Sequence, residues 1–207
     1  MKLSKSIPRA GVVTALMLAG MHAAPTSGQA PRAPERPIEN VRAGGVPLIT
    51  QVPPTTATAA IKGSGITGRA ELVERKQGTG TVVDVTVTAT GLKPGRHGVH
   101  LHAVGKCEPD FAAAGGHFDP GPAGNTDPDA NHPFHMGDLP NLEAGSTGST
   151  SLKAVTTRIT VTPGPLSIFD ADGTAIIIHG NPDQGITGAP KSDVSGGPRV
   201  ACGVFTK

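Results

Sequence analysis

The sequence predicts an all-β chain, a Greek-key antiparallel sandwich or barrel with two long functional loops. Three observations lead there. Apolar and polar residues alternate in short runs such as Val82–Thr90 and Val99–His102, the period of a strand that sends successive side chains to opposite faces. Turn formers are abundant, with 29 Gly and 20 Pro, and no run carries the apolar period of an amphipathic helix. Two stretches with little strand signal, residues 108–148 and 179–198, interrupt the pattern. Loops of that length on a compact scaffold usually carry function.

Taken in order, residues 1–24 read as a secretion signal. Lys2, Lys5 and Arg9 precede an apolar run from Ala10 to Gly20, and small residues follow, which places cleavage between 23 and 30. The apolar run is too short for a permanent bilayer span, so a periplasmic or extracellular protein with no membrane partner is expected. Losing residues 1–30 removes three of the 18 basic residues and none of the 16 acids, taking the formal charge from +2 to −1. Nothing in that balance points to nucleic acid. Residues 25–57 are rich in Pro, Ala, Thr and Arg without apolar periodicity and read as a linker without fixed structure. The folded domain is expected over 58–207.

Within it, Val83, Val85, Val87 and Ala89 share one strand face, opposite Asp84, Thr86 and Thr88. Gly91 and Pro94-Gly95 then turn the chain into Val99-His100-Leu101-His102. Alternation buries Val99 and Leu101 and sends both imidazoles outward, side by side. Further strand patterns cover 151–162, 166–169, 174–178 and 199–205.

Beyond the signal segment lie seven histidines: His97, His100, His102, His117, His132, His135 and His179. They gather at a strand end, in the first long loop, and directly after the apolar run Ala175–Ile178. Neutral imidazoles on rigid backbone are the raw material of a transition-metal site. His135 and Asp138 stand three apart in His-Met-Gly-Asp, and one turn can offer both to a single cation, a donor mix that suits zinc. Cys107 and Cys202 form an even pair, which in an exported chain reads as a disulfide in preference to two separate buried thiols.

Five motifs carry a resemblance: Gly98-Val99-His100-Leu101-His102, Gly115-Gly116-His117-Phe118-Asp119-Pro120, His135-Met136-Gly137-Asp138-Leu139-Pro140, Ile178-His179 and Arg199-Val200-Ala201-Cys202-Gly203-Val204. In order and spacing they resemble the exported bacterial copper/zinc superoxide dismutases over residues 58–207. That resemblance implies copper and zinc ions as cofactors and superoxide as substrate, converted to oxygen and hydrogen peroxide by copper redox cycling. It implies copper ligation by His100, His102, His117 and His179, with the His117 imidazolate shared with a structural zinc. Zinc would also take His135 and Asp138. Asp183 matches the carboxylate that orients ligand imidazoles on both metals, and Arg199 matches the arginine that aligns the substrate anion. Arg199 and His117 are the expected catalytic pair, Cys107–Cys202 the family's disulfide, and His97 a structural histidine.

One departure stands out. The family usually places a zinc histidine about midway between the bridging histidine and His-x-Gly-Asp, and the region around Asn125 has none. His132 is the spare imidazole, either completing the zinc shell through a rearranged loop or standing solvated in that loop. Four protein ligands normally close a structural zinc site, which favours His132 as a ligand. Rival readings are a copper-only dismutase, against which His135 and Asp138 speak, and a metal-buffering module, against which Arg199 speaks. A monomer and a homodimer both remain open.

Overall fold

The computed structural model describes residues 53–121 and 124–207. The expected signal segment and nearly all of the expected linker therefore lie outside the described residues. The strands are β1 (Thr55–Gly63), β2 (Ile66–Gln77), β3 (Gly80–Thr90), β4 (Gly95–His97), β5 (Val99–His102), β6 (Leu142–Ala144), β7 (Thr150–Thr156), β8 (Ala175–His179) and β9 (Arg199–Val204). Among the described residues the one helical element is a 3-10 turn, Phe111–Ala114, capped by the Asp110 carboxylate.

Seven strands pair antiparallel in the order β5-β8-β9-β1-β2-β3-β7, and β4 pairs separately with β6. The order departs from the chain sequence, so β5, β8 and β9 join the front hairpins through crossovers, as the Greek-key expectation requires. Ala70 and Leu72 of β2, Val83, Val85 and Val87 of β3, Val99 and Leu101 of β5, and Ile176 and Ile178 of β8 all pack in one core. Strands from both ends of the order can share a core only if the sheet curls around it. The expected alternation is present in β3, where Val83, Val85, Val87 and Ala89 are buried.

Four local expectations are corrected. The first strand begins at Thr55, inside the expected linker, because Thr55–Ala57 pair with Glu74–Leu72 of β2. The strand expected over 151–162 stops at Thr156, since beyond it the amides of Val161 and Thr162 donate to the Glu74 carboxylate at 2.6 and 2.7 Å, not to a neighbouring strand. Residues 166–169 make only an isolated bridge from Ser167 to Thr160, although Ile168 is buried. Within the first long loop, Leu142–Ala144 forms β6, a strand too short to register as alternation.

The outward face of β5 is also not a solvent face. All four of its residues are buried, as are all five of β8. The first long loop doubles back beside β5, with Leu101 donating to Gly137 O at 2.9 Å and Phe118 donating to Leu101 O at 2.9 Å. A Cβ on Gly137 would stand 2.5 Å from the Leu101 carbonyl oxygen, so only glycine permits this approach.

Candidate metal centre

The loops that cover β5 and β8 bring six imidazoles into one interior cluster. His100 and His102 come from β5, His179 from the end of β8, and His117, His132 and His135 from the first long loop. All six are essentially shielded from solvent. A β-bulge between Ile178 and His179 shifts the β8–β9 register, so that Ile178 faces Ala201 while His179 faces Arg199. Bulges re-aim side chains, and here one sets a buried imidazole beside a guanidinium.

Each ring is oriented by one nitrogen. His100 Nε2 lies 2.9 Å from Asp183 Oδ2, His102 Nδ1 3.0 Å from Gly115 O and His179 Nδ1 2.9 Å from Gly197 O. With those nitrogens donating, His100 Nδ1, His102 Nε2 and His179 Nε2 have no partner, although they are buried. His117 Nδ1 lies 2.7 Å from Asp138 Oδ1, and its Nε2 is likewise without a partner. One nitrogen from each of these four rings falls within 4.8 Å of the other three.

A second group lies beyond His117. His132 Nε2 is 2.7 Å from Asp183 Oδ1, and its Nδ1 stands 3.3 Å from Asp138 Oδ2, with no hydrogen bond. His135 Nδ1 lies 3.1 Å from the same Oδ2, which also accepts from the His135 amide at 2.9 Å. Here one ligand atom each from His100, His117, His132 and Asp138 lies within 4.8 Å of the other three. His135 therefore sits at the edge of the group expected for zinc, touching Asp138 but outside that set. Asp183 spans both groups, one oxygen on His100 and the other on His132.

The electrostatics follow from burial. Desolvation, helped by His117 and Arg199, holds His102 well below the ordinary histidine range. Desolvation and the nearby His100 hold His179 well below it too, and His117 is pushed down to about 3 by burial and His100. These rings stay neutral at physiological pH, with lone pairs available. Burial would raise the Asp138 carboxyl, but hydrogen bonds from His117 and His135 and the close approach of the His132 ring outweigh it and hold the group well below the carboxylate range. His132 differs: burial opposes its charge, yet Asp138 and Asp183 lift it to about 9.

A buried polar atom without a partner costs roughly 1–3 kcal/mol. Here unpartnered imidazole nitrogens converge beside two ionised carboxylates. That donor set suits borderline-soft cations such as copper and zinc.

Arg199 lies at the rim. Its Nη1 donates to Phe111 O and its Nη2 to Gly115 O, both at 2.6 Å. Burial lowers its pKa, but a guanidinium remains charged. The disulfide Cys107–Cys202 ties the segment carrying Phe111 and Gly115 to β9. His97 faces away from the cluster, its Nδ1 2.8 Å from His179 O and its Nε2 2.8 Å from Lys93 O. Asn125 contributes only loop bonds, its amide donating to Asp119 Oδ2 at 3.1 Å.

The sequence reading missed two residues. Arg158 donates from Nη1 to His135 O and from Nη2 to Asp138 O, both at 2.9 Å. Asp129 is a buried carboxylate bonded to the second long loop. Neither lies in a motif, and their roles depend on loop paths that spacing does not encode.

A family model described as Copper/zinc superoxide dismutase (SODC) matches residues 66–205. The chain is 37% identical to superoxide dismutase [Cu-Zn] 1 of Aquifex aeolicus over 144 residues, 66% of this chain and 78% of that one. Identity to the superoxide dismutase [Cu-Zn] of Deinococcus radiodurans is 40% over 132 residues, covering 58% and 69%. With the extracellular superoxide dismutase [Cu-Zn] of Haemonchus contortus it is 35% over 150 residues, covering 70% and 78%. The crystal structure of the clock protein EA4 superposes with a TM-score of 0.61 at 28% identity, over 74% of this chain and 95% of that one. With a family match across most of its length and relatives of one activity, the chain belongs to the copper/zinc superoxide dismutase family and is an enzyme of that class.

Proposed function

We propose that this chain converts two superoxide anions and two protons to oxygen and hydrogen peroxide, using one copper and one structural zinc. His100, His102, His117 and His179 would hold copper, and His117, His132, His135 and Asp138 would hold zinc, with His117 as the imidazolate bridge. Copper supplies the one-electron redox chemistry when bound.

The chain's own residues supply the rest. His117 offers Nε2 to one group while Nδ1 faces Asp138 in the other, the arrangement a bridge needs. In the catalytic cycle that Nε2 is the atom that takes up and returns a proton. Arg199 presents a fixed charge beside His179, where a small anion is attracted and aligned. Asp183 fixes the rings of His100 and His132, as outer carboxylates do at metal sites. The disulfide, the extracellular relative and the expected N-terminal signal together support export to the periplasm or the cell exterior, and the residues from 25 up to the start of β1 at Thr55 are read as a linker before the catalytic domain.

The observation that carries the proposal is the convergence of four unpartnered imidazole nitrogens beside Arg199. The test is metal analysis of the oxidised protein coupled to a superoxide-consumption assay. One copper and one zinc per chain with rapid consumption is the expected result. His179→Ala should abolish consumption, and His132→Ala should lose zinc while retaining copper. Bound metal without consumption would overturn the catalytic reading.

A further inference from the structure

The second long loop is anchored over His179 by a carboxylate from the first. Asp129 is 3% exposed. Its Oδ1 accepts from the Ser195 amide at 3.0 Å and the Ser195 hydroxyl at 2.9 Å, and its Oδ2 accepts from the Asp193 amide at 2.9 Å. Its carbonyl accepts from the Gly188 amide at 2.9 Å. One residue thus takes four donors of the facing loop.

A short chain of contacts runs from this anchor to the copper pocket. The Gly196 amide donates to Asp193 O at 3.2 Å, and the Asn181 amide donates to Gly196 O at 3.1 Å. Next in sequence, Gly197 supplies the carbonyl that holds His179 Nδ1. Gly196, at φ 111°, lies so close that a Cβ there would stand 2.8 Å from His179 Cβ. The following Pro198 accepts from Gly180 at 2.6 Å and leads into Arg199.

We propose that Asp129 is a positioning residue that clamps segment 193–197 onto His179 and so fixes the ring with Nε2 toward the copper pocket. The inference rests on the proposed function for its copper assignment. It gives the loop of His132, His135 and Asp138 a further mechanical link to the copper side, separate from Asp183 and from the Thr187 hydroxyl on His132 O. Fixing a ligand ring before the metal arrives lowers the ordering that binding must supply.

The test uses Asp129→Asn, which preserves volume but sets an NH2 group against either the two Ser195 donors or the Asp193 amide. The protein is the full oxidised chain loaded with zinc and diamagnetic cuprous copper. Nuclear magnetic resonance reads solvent exchange of the His179 Nδ1 proton, and chelator competition reads copper retention. Faster exchange and about tenfold weaker copper retention, with zinc content unchanged, is the expected result. Glu74→Gln is the control. It also removes a buried carboxylate, but the partners of Glu74, Val161 and Thr162, lie in neither metal-site loop. This variant should lower thermal stability and leave the His179 proton protected.

An Asp129→Asn protein that loses stability like the control, yet keeps wild-type exchange and copper retention, overturns the proposal. If that variant does not fold, Ser195→Ala removes only the hydroxyl donor and should still speed exchange, while unchanged exchange there overturns it equally. Failure of the functional reading would look different: wild-type protein would consume no superoxide, with the exchange effect intact.

Discussion

Arg199 and His102 donate to the same oxygen. Arg199 Nη2 and His102 Nδ1 lie 2.6 and 3.0 Å from Gly115 O. The guanidinium proposed to align the substrate and a ring of the proposed copper group are thereby referenced to one carbonyl, just after the 3-10 turn. Arg199→Lys tests what that geometry contributes. An ammonium is a point donor and cannot span Phe111 O and Gly115 O as the planar guanidinium does. Loss of one charge-assisted hydrogen bond, about 1.5 kcal/mol, corresponds to about a tenfold fall in kcat/KM. Metal content should stay at the wild-type level. Stopped-flow superoxide decay with parallel metal analysis reads both, and a wild-type rate would exclude this role.

The disulfide holds the same turn from behind. Cys107 and Cys202 are 95 residues apart, and for a loop of that length the chain-entropy model gives about 4–5 kcal/mol. Replacing both cysteines with serine should lower unfolding free energy by that order in denaturant titration. The segment carrying Phe111 and Gly115 then loses its covalent tie to β9, so turnover should fall even in fully metallated protein. Stability loss with unchanged turnover would separate the bridge from Arg199 placement.

Arg158 acts on the other metal group. Its guanidinium holds His135 O and Asp138 O at 2.9 Å and reaches Pro133 O at 3.4 Å, tying the backbone of the expected zinc ligands. Arg158→Ala should speed zinc release to a chromogenic chelator about tenfold, in the range seen for outer-shell changes. Copper release should change little. Equal acceleration for both metals would mean the variant had loosened the whole fold.

Glu74 predicts a pH dependence of stability. Burial would raise its carboxyl, but the Thr162 amide and hydroxyl and the Val161 amide outweigh that and hold it below its ordinary 4.5. A depressed native value means the contribution is fully present above 4.5 and is lost as pH falls through the native value. Glu74→Gln should therefore destabilise the protein at neutral pH. The gap from wild type should close as the medium is acidified below 4.5. A gap that stays constant across that range would show that charge is not what Glu74 contributes.

Much of the site was legible because strand alternation and short motifs place residues locally. His100 and His102 follow from period two, and His179 from its place after an apolar run. His132 was expected at the zinc group from ligand count alone, but its contact with Asp183 was not legible. Nothing in Asn131-His132-Pro133 says that the ring turns inward to meet Asp183, 51 residues away. Residues 157–162 misled for a related reason: their pattern is strand-like, but Glu74 captures the Val161 and Thr162 amides from across the fold. The cover over the outward face of β5 was not legible because alternation reports which side a residue takes, not what covers that side.

The Asp183 carboxylate reaches His100 with one oxygen and His132 with the other. A single anion shared between the two proposed cation pockets would make their occupancies heterotropic. Whatever factor filling one pocket contributes to affinity at the other must be returned in equal measure, because coupling free energy is reciprocal. The scarcer ion in the compartment would then govern how firmly the abundant one is kept.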